Sequence, residues 1–310
     1  MLWKAWKRFA GSHMQDYWDK MERMIRYNIR HDLLIHEAIT SKEPGITQNK
    51  LCNEEVIVSL TTYGRRLLGV SSTIESIMQG SVKPNRICLW VDESLKNISF
   101  PQTLLNQVKR GLEICFCKDI ASYKKLVPAL AKYPEASIIT IDDDAIYDYD
   151  LVETLVSSHI VRPKCIVTKR IARLLLEPTE NQGYKAQWGG VNNRYEPSLL
   201  HKQTGVGGVL YPPHSLHPEV SNEKVFMDIC PHADDLWFYA MAVMAGTKVV
   251  GCPVKGFSND EFLTNWSVQD SALWHINNAQ EKGQATTHDG AQLKAILDRY
   301  QLWDKLSKEG

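Results

Sequence analysis

Short apolar segments of strand length alternate with segments of helical length between residues 56 and 141. The predicted strands lie at 56–60, 86–91, 113–117 and 137–141, and the predicted helices at 70–79, 102–110 and 124–132. This alternation is typical of an α/β fold with a mostly parallel sheet flanked by helices. Because such sheets bind ligands at the carboxyl ends of their strands, we expect the functional site at that edge.

Helical segments are also predicted at both ends of the chain. Apolar residues at helical spacing indicate an N-terminal helical arm at 15–39, and an aperiodic linker with Gly and Pro follows it. A C-terminal helix is predicted at 289–305. We therefore divide the chain into an arm and linker at 1–50, a first half at 51–150 and a second half at 151–310.

The composition excludes several classes of protein. Of 310 residues, 44% are apolar, which suits a folded chain with a large core. Lys and Arg number 36, as do Asp and Glu, so no net charge draws the chain to nucleic acid. Seven scattered cysteines without CxxC spacing argue against a disulfide framework or a structural zinc site, and they suit a reducing cytosol.

The first ten residues, MLWKAWKRFA, interleave aromatic and basic residues in the pattern of helices that lie on anionic membrane surfaces. The next four, Gly-Ser-His-Met, match a scar common to expression vectors, so residues 1–14 are either vector-derived or native. The longest apolar runs are far shorter than the roughly 20 residues of a membrane-spanning helix, and no cleavable signal is present. We predict a cytoplasmic protein with, at most, peripheral contact with a membrane surface.

Three consecutive carboxylates, Asp142, Asp143 and Asp144, directly follow the apolar strand at 137–141. Crowded carboxylates at a partly buried strand end repel one another and need a compensating cation. A hard divalent ion such as Mg²⁺ or Mn²⁺, held by one or two carboxylates and by phosphate oxygens, is a common solution. The alternative is a solvated acidic turn.

The segment IITIDDDAIY resembles the Asp-x-Asp element of nucleotide-sugar-dependent glycosyltransferases of the GT-A fold. VIVSLTTYGRR and TIESIMQGSVKPNRICLWVDE are similar to the part of those enzymes that cradles the nucleotide base. SYKKLVPAL, TGVGGVLYPP and HADDLWFYAMA are similar to blocks of bacterial members that build lipopolysaccharide or capsule sugars. The resemblance spans Val56 to Tyr300 and implies a GT-A-type fold. Residues 51–150 would bind the nucleotide sugar, and residues 151–310 would bind the acceptor.

The resemblance also implies a metal site and a nucleotide-sugar site. Asp142 and Asp144 match the family's metal-binding or ribose-binding aspartates, Asp143 is an ambiguous middle position, and His288 is a candidate third metal ligand. Further nucleotide-sugar contacts are implied for Thr61, Thr62, Tyr63, Arg65, Asp92, Lys124 or Lys125, Gly207 and Gly208. Each of these has an ordinary structural alternative: packing for the tyrosine, a turn for Asp92 and the glycines, a solvated surface for the lysines, and a helix start for the histidine.

Asp234 and Asp235 precede an apolar helix, where capping of the helix N-terminus is the ordinary explanation. Family members that invert the anomeric centre carry an acidic pair here, and its second residue deprotonates the acceptor hydroxyl. This chain has Ala-Asp-Asp where many relatives have Glu-Asp, so either Asp234 or Asp235 could be the catalytic base.

Together these features predict a metal-dependent glycosyltransferase that moves a sugar from a nucleotide-sugar donor, expected to be a UDP-sugar, to a glycan or glycolipid acceptor. We expect inversion by single displacement, and a retaining reaction would give the acidic pair an orienting role instead. The alternatives are a sugar nucleotidyltransferase and a non-catalytic carbohydrate-binding protein on the same fold. Against a nucleotidyltransferase, no glycine-rich loop bearing Arg or Lys directly follows the first strand.

Overall fold

The computed structural model describes residues 2–178, 184–254, 262–271 and 288–309. In chain order, the strands are β1 (Val56–Thr61), β2 (Arg86–Asp92), β3 (Leu112–Cys117), β4 (Ser137–Thr140), β5 (Ala145–Tyr147), β6 (Ile166–Thr168), β7 (Ile171–Pro178), β8 (Tyr184–Gly189), β9 (His201–Gln203), β10 (Val209–Tyr211), β11 (Val249–Gly251) and β12 (Phe262–Thr264). The α-helices are α1 (Leu2–Thr40), α2 (Val70–Met78), α3 (Gln102–Val108), α4 (Val127–Lys132), α5 (Leu151–Val161), α6 (Glu223–Ile229), α7 (Asp234–Ala245), α8 (His288–Arg299) and α9 (Trp303–Ser307).

The central sheet has seven strands among the described residues, in the order β11-β6-β10-β4-β1-β2-β3. Strands β4, β1, β2 and β3 run parallel to one another. Strand β10 is antiparallel to both β4 and β6, and β11 is parallel to β6. The predicted α/β fold with a mostly parallel sheet flanked by helices is confirmed. Strands from both predicted halves share this sheet, and the division of labour between the halves stays a prediction.

Apolar side chains cover both faces of the sheet. On β1, Ile57 belongs to the core cluster that contains α7, and its neighbour Val58 belongs to the cluster that contains α2. A strand buried on both faces has a continuous apolar sequence, which is why β1 and β4 could be predicted. Helix α7 is buried along nearly its whole length, so its sequence is apolar all round after the two aspartates.

The N-terminal arm is a single helix, α1, that extends beyond the predicted range in both directions. One face packs against α2, α3 and β12, and Tyr27, Leu34 and Ala38 are buried there. The arm also carries apolar side chains that are more than half exposed: Trp18, Ile25, Ile29 and Leu33. The basic amphipathic pattern of residues 1–10 falls where the side chains lie outside the described residues. No described helix is long and apolar enough to cross a membrane.

Three segments differ from the prediction. The predicted C-terminal helix is interrupted at Gln301, whose φ of 53° lies in the left-handed region, and α8 and α9 lie on either side. The two lysines at 124–125 end a 3-10 turn, Ala121–Lys125, and do not open α4. Strands β7, β8 and β9 form an antiparallel sheet in the order β8-β7-β9. This sheet was missed because the apolar residues of β7 form a run without alternation, and Leu174 alone among them is fully buried.

Candidate active site

The Asp triplet lies between β4 and β5, at the carboxyl edge of the sheet where the sequence predicts it. The main-chain N–H of Ile141 still donates to the carbonyl of Ser59 on β1, so the chain leaves the sheet only at Asp142. The N–H of Asp142 donates to the hydroxyl of buried Tyr147 at 2.9 Å. The triplet is therefore held by β1 on one side and by β5 on the other.

Arg66 compensates two of the three carboxylates. It lies in the 3-10 turn Gly64–Leu68 that follows β1. Its Nη1 is 2.9 Å from Oδ1 of Asp143 and 3.2 Å from Oδ2 of Asp144, and all three side chains are about nine-tenths buried. Thr62 donates to the other oxygen of Asp143 at 2.6 Å. Asp143 is thus fully occupied by protein partners.

The sequence prediction selected Arg65 and did not single out Arg66. In the structure Arg65 is exposed, whereas Arg66 is buried against the carboxylates. The ring of Tyr63 is about half exposed, and the Arg66 guanidinium carbon lies 5.4 Å from its centroid. Tyr63 therefore stands at the rim of the site. Which of two adjacent arginines faces inward depends on the geometry of the 3-10 turn, and no sequence signal distinguished them.

Lys125 joins the Asp triplet to the acidic pair at the start of α7. Its Nζ is 2.9 Å from Oδ1 of Asp142 and 2.9 Å from Oδ2 of Asp234. Burial opposes the charge of this amine, but Asp142, Asp234 and Asp235 raise its pKa well above the usual range. Asp142 and Asp234, which follow Lys125 by 17 and 109 positions in the chain, therefore contact the same ammonium group.

The turn that carries Lys125 is fixed from the sheet. The hydroxyl of Ser59, on β1, donates to the Lys125 carbonyl at 2.6 Å and accepts from the indole N–H of Trp90 at 3.0 Å. Ser122, in the same turn, donates to Oδ1 of Asp234 at 2.9 Å. The ammonium group is thus anchored through its own main chain.

Asp235 lies at the start of α7 with its two oxygens in different surroundings. Oδ2 accepts the N–H of Gly205 at 2.9 Å. Oδ1 is buried and has no hydrogen-bond partner among the described residues. Burial, partly offset by Lys125 and increased by Asp234, raises the pKa of Asp235 to about 6. A carboxylate with a spare oxygen and a pKa near neutrality can accept a proton.

Gly205 brings its backbone directly against this carboxylate. A Cβ at this position would lie 2.9 Å from both Asp235 Oδ1 and Lys125 Nζ, so a glycine is required unless both groups move. The predicted glycines, Gly207 and Gly208, face Arg170 and Leu151 instead, and Gly208 has a φ of +85°. Their surroundings match the alternative of a tight turn before β10.

The donor set suits a divalent cation by its chemistry. Among the described residues, five carboxylates and two cationic side chains are in direct contact here, which leaves three negative units when all are ionised, and Lys202 adds a more distant positive charge near Asp235. Burial, Asp142 and Asp143 together raise the pKa of Asp144 to about 6, the response of a carboxylate that lacks sufficient positive charge nearby. Oxygen ligands are those that Mg²⁺ and Mn²⁺ prefer.

The side chains of the Asp triplet do not all point toward one common position. Asp142 faces Lys125, whereas Asp144 faces Arg66 and accepts from the Gln269 amide at 2.8 Å. Within the described ranges, the groups of three ligating side chains that do converge are Cys52, Glu54 and His159, and Cys88, Glu113 and Cys115. The side chain of His288 lies outside the described residues. A cation at Asp142 and Asp144 therefore stays a prediction.

The remaining predicted residues lie apart from this cluster. Asp92 accepts the N–H of Ser94 at 2.9 Å and caps a 3-10 turn, which matches its structural alternative. Lys124 is buried but binds Asp119. Thr61 donates to the carbonyl of Trp90 at 2.9 Å. A nucleotide contact for each of them stays a prediction. A cavity of about 670 Å³ is lined by other residues, among them Arg173, Asn192, Ser198, His201 and Lys248.

No protein-family model matches the chain, and no curated protein matches it. Several solved structures overlap part of the fold. S. aureus TarS 1–349 in complex with UDP is 12% identical, with a TM-score of 0.41 over 79% of this chain and 71% of that chain.

GalNAc-T7 with UDP, GalNAc and Mn²⁺ is 10% identical, with a TM-score of 0.43 over 82% of this chain and 50% of that chain. The CMP:2-keto-3-deoxy-manno-octonic acid synthetase complexed with CTP is 11% identical, with a TM-score of 0.38 over 70% of this chain and 95% of that chain. All of these overlaps have TM-scores below 0.5.

Replacing Lys125 tests whether this amine holds the cluster together. Lys125→Met leaves Asp142 and Asp234 without their shared cation, and removing one partner of a buried ion pair costs about 3–5 kcal/mol. We expect a loss of this size in urea unfolding at pH 7.5. The loss should shrink at pH 5, because the unpaired carboxylates acquire pKa values above those of the unfolded chain and bind protons as the pH falls.

The adjacent lysine provides a matched control. Lys124 is equally buried, but its partner Asp119 is largely exposed and remains hydrated when the lysine is removed. Lys124→Met should therefore cost much less than Lys125→Met and should show little dependence on pH between 5 and 7.5. Equal losses for the two variants would contradict the bridging role of Lys125.

Proposed function

We propose that this chain is a glycosyltransferase that uses a nucleotide-sugar donor, with its active site at the carboxyl edge of the sheet. The observation that carries the proposal is the position of Lys125 Nζ, 2.9 Å from both Asp142 and Asp234. This ammonium group joins two sets of carboxylates into one site. The Asp triplet after β4 suits a complex of a metal ion with a diphosphate. The pair Asp234 and Asp235 at the start of α7 suits proton transfer. The resemblance of the same segments to GT-A glycosyltransferases supports this proposal.

The donor would lie over the Asp triplet. Tyr63, at the rim, offers an aromatic face for a nucleotide base, and Arg66 and Lys125 supply positive charge near the diphosphate. Asp142 and Asp144, with His288 as a candidate third ligand, would hold Mn²⁺ or Mg²⁺. When bound, such an ion neutralises charge on the leaving diphosphate. A UDP-sugar is the donor that we propose.

Asp235 is the better candidate for the base. Both oxygens of Asp234 face protein partners, Ser122 and Lys125, which suits it to orienting the lysine. Asp235 keeps Oδ1 without a partner in the described part of the chain, and its pKa of about 6 lies near the optimum for accepting a proton at neutral pH. It would take the proton of an acceptor hydroxyl as that oxygen attacks the anomeric carbon, and the configuration would invert in a single displacement.

The first prediction concerns ligand binding and is measured as a shift in melting temperature. The protein is heated with UDP, GDP, CDP or dTDP, each with and without Mn²⁺. We expect UDP with Mn²⁺ to stabilise it, by about 2.7 kcal/mol at 100 times the dissociation constant. Asp144→Asn should lose the metal-dependent part of the shift, because it removes one of the proposed metal ligands.

The remaining outcomes separate the alternatives. Pyrophosphate release from a nucleoside triphosphate and a sugar phosphate would establish the nucleotidyltransferase. Binding of glycans without turnover of any nucleotide sugar would establish a carbohydrate-binding protein. Failure of every nucleotide to shift the melting temperature, with and without metal, would overturn the donor site at the Asp triplet.

The second prediction concerns the base. Asp235→Asn should lower turnover of the nucleotide sugar by about 10²- to 10⁴-fold, the usual contribution of general-base catalysis. Asp150→Asn is a matched control, because Asp150 is also a buried carboxylate that pairs with a lysine, Lys169, at 3.0 Å. It should keep its turnover. A larger loss in Asp234→Asn than in Asp235→Asn would reverse the roles of the pair, and the anomeric configuration of the product distinguishes inversion from retention.

We also propose that the arm brings the enzyme to the cytoplasmic face of the inner membrane, where a lipid-linked glycan of lipopolysaccharide or capsule synthesis would be the acceptor. The exposed side chains of Trp18, Ile25, Ile29 and Leu33 support this proposal, because apolar side chains on an amphipathic helix enter the headgroup region of a bilayer. Together they form an apolar surface on the arm.

The third prediction tests this contact by co-flotation with lipid vesicles. The protein should float with vesicles that contain anionic lipid, and the double variant Trp18→Ser, Ile25→Ser should float less. Val161→Ser, at an exposed apolar side chain of α5, is the control and should float like the unchanged protein. Equal flotation of all three would exclude the arm as the membrane contact.

A further inference from the structure

A second group of metal-ligating side chains lies at the opposite edge of the sheet. Cys52 and Glu54 belong to the segment that leads into β1, and His159 lies in the last turns of α5. Their ligating atoms all lie within 4.8 Å of one another. Ser137, which contacts Glu54, is the first residue of β4. Asp142 follows it by five residues, which is about 16 Å at roughly 3.3 Å per residue of strand. The group is therefore separate from the candidate active site.

The three side chains are already oriented by the protein. The Glu54 carboxylate accepts from the Ser137 hydroxyl at 2.7 Å and contacts Nε2 of His159. The Cys52 thiol lies 3.3 Å from the Glu54 carbonyl oxygen, to which it donates. A hydrogen bond that orients a ligating carboxylate is a regular feature of metal sites. Here Ser137 supplies such a bond.

The imidazole of His159 has unused capacity. The side chain is 3% exposed, and its Nδ1 is buried with no hydrogen-bond partner among the described residues. Nε2 is the ring nitrogen that contacts Glu54 and would bind an ion, and Nδ1, which no protein acceptor or donor occupies among the described residues, can carry the ring proton when Nε2 is a ligand. Cys52 is half-buried, so the group can be reached from solvent.

Ligand chemistry selects the ion. A thiolate, an imidazole and a carboxylate form the mixed S, N and O set that Zn²⁺ accepts, whereas Mg²⁺ and Mn²⁺ prefer oxygen alone. Ligand bonds of about 2.0–2.3 Å in a tetrahedron place ligating atoms roughly 3.5 Å apart. The direct contact between Glu54 and His159 would therefore open by about 1 Å to admit the ion, and the half-buried Cys52 side chain would turn toward it.

The second convergent group, Cys88, Glu113 and Cys115, offers a contrast. Arg86 lies 2.7 Å and Lys132 3.5 Å from the Glu113 carboxylate, and Lys132 also lies 3.6 Å from the Cys115 sulfur. Positive side chains already neutralise this group and would repel an incoming metal ion. No such ion pair to Lys or Arg is found for Glu54 among the described contacts, and its close side-chain partners are Ser137 and the His159 ring.

We propose that Cys52, Glu54 and His159 bind one Zn²⁺ ion, with water in the fourth coordination position. Binding releases the Cys52 thiol proton to solvent, and the ion replaces the direct contact between the Glu54 carboxylate and Nε2 of His159. The hydrogen of that contact leaves Nε2, so that the bound neutral ring carries its N–H on Nδ1. The bound ion links the segment before β1 to the end of α5, two parts of the chain 107 residues apart between Cys52 and His159. The sequence argued against a structural zinc site from cysteine spacing, which cannot reveal ligands brought together only by the fold.

The experiment measures zinc binding by the full chain after chelator treatment and desalting, in excess Mg²⁺ so that the carboxylate cluster is saturated. Competition with a chromophoric chelator should give one Zn²⁺ per chain. Cys52→Ser and His159→Gln should each weaken binding at least tenfold. Cys115→Ser, from the group neutralised by Lys132, is the matched control and should bind as the unchanged protein does.

Substitution of Co²⁺ for Zn²⁺ reports the ligands directly. We expect a thiolate-to-Co²⁺ charge-transfer band and tetrahedral visible bands, with the charge-transfer band absent from Cys52→Ser. Cys52 lies outside the sheet and is half-buried, so Cys52→Ser should melt like the unchanged chain without metal. Absence of zinc binding at micromolar concentrations, or its loss in Cys115→Ser and retention in Cys52→Ser, would overturn the proposal.

Discussion

The candidate site depends on one ammonium group. Lys125 Nζ contacts Asp142 after β4 and Asp234 at the start of α7, and these residues come from different predicted halves of the chain. Without a cation between them, the two carboxylates would repel each other in partly dehydrated surroundings. The position of the amine is in turn set by main-chain contacts to β1, so the sheet fixes the distance between the two acidic groups.

The second cation, Arg66, determines which carboxylates remain for Lys125. Arg66 occupies Asp143 and Asp144, so Lys125 is left to Asp142 and the acidic pair. The two cations do not balance the five carboxylates, and burial, together with the neighbouring carboxylates, raises the pKa values of Asp144 and Asp235. In the proposed mechanism Asp144 serves the donor and Asp235 serves the acceptor. Asp144 and Asp235 are thus the residues near which charge would change during the proposed group transfer.

Much of the fold could be predicted because its physical causes are local. Strands buried on both faces have continuous apolar sequences, and the triplet had to emerge at the carboxyl edge because it directly follows β4. The side chains that build the site were harder to predict. Arg65 was selected where Arg66 is used, Gly207 was selected where Gly205 is used, and the choice between Lys124 and Lys125 stayed open. Each of these differences is one or two positions within a short turn. The direction of a side chain there depends on turn geometry and tertiary contacts, which residue type and spacing do not encode.

The same sheet would also keep the two proposed metal sites apart. Parallel strands place all their carboxyl ends at one edge and all their amino ends at the other, and here the two edges hold different ligands. Hard oxygen ligands lie after β4, whereas sulfur and nitrogen ligands lie before β1 and at the end of α5. Because an ion is selected by ligand softness and geometry rather than by charge alone, an oxygen-seeking ion and Zn²⁺ would each favour a different edge. The parallel topology that gathers the candidate active site thus also keeps a thiolate ligand away from it.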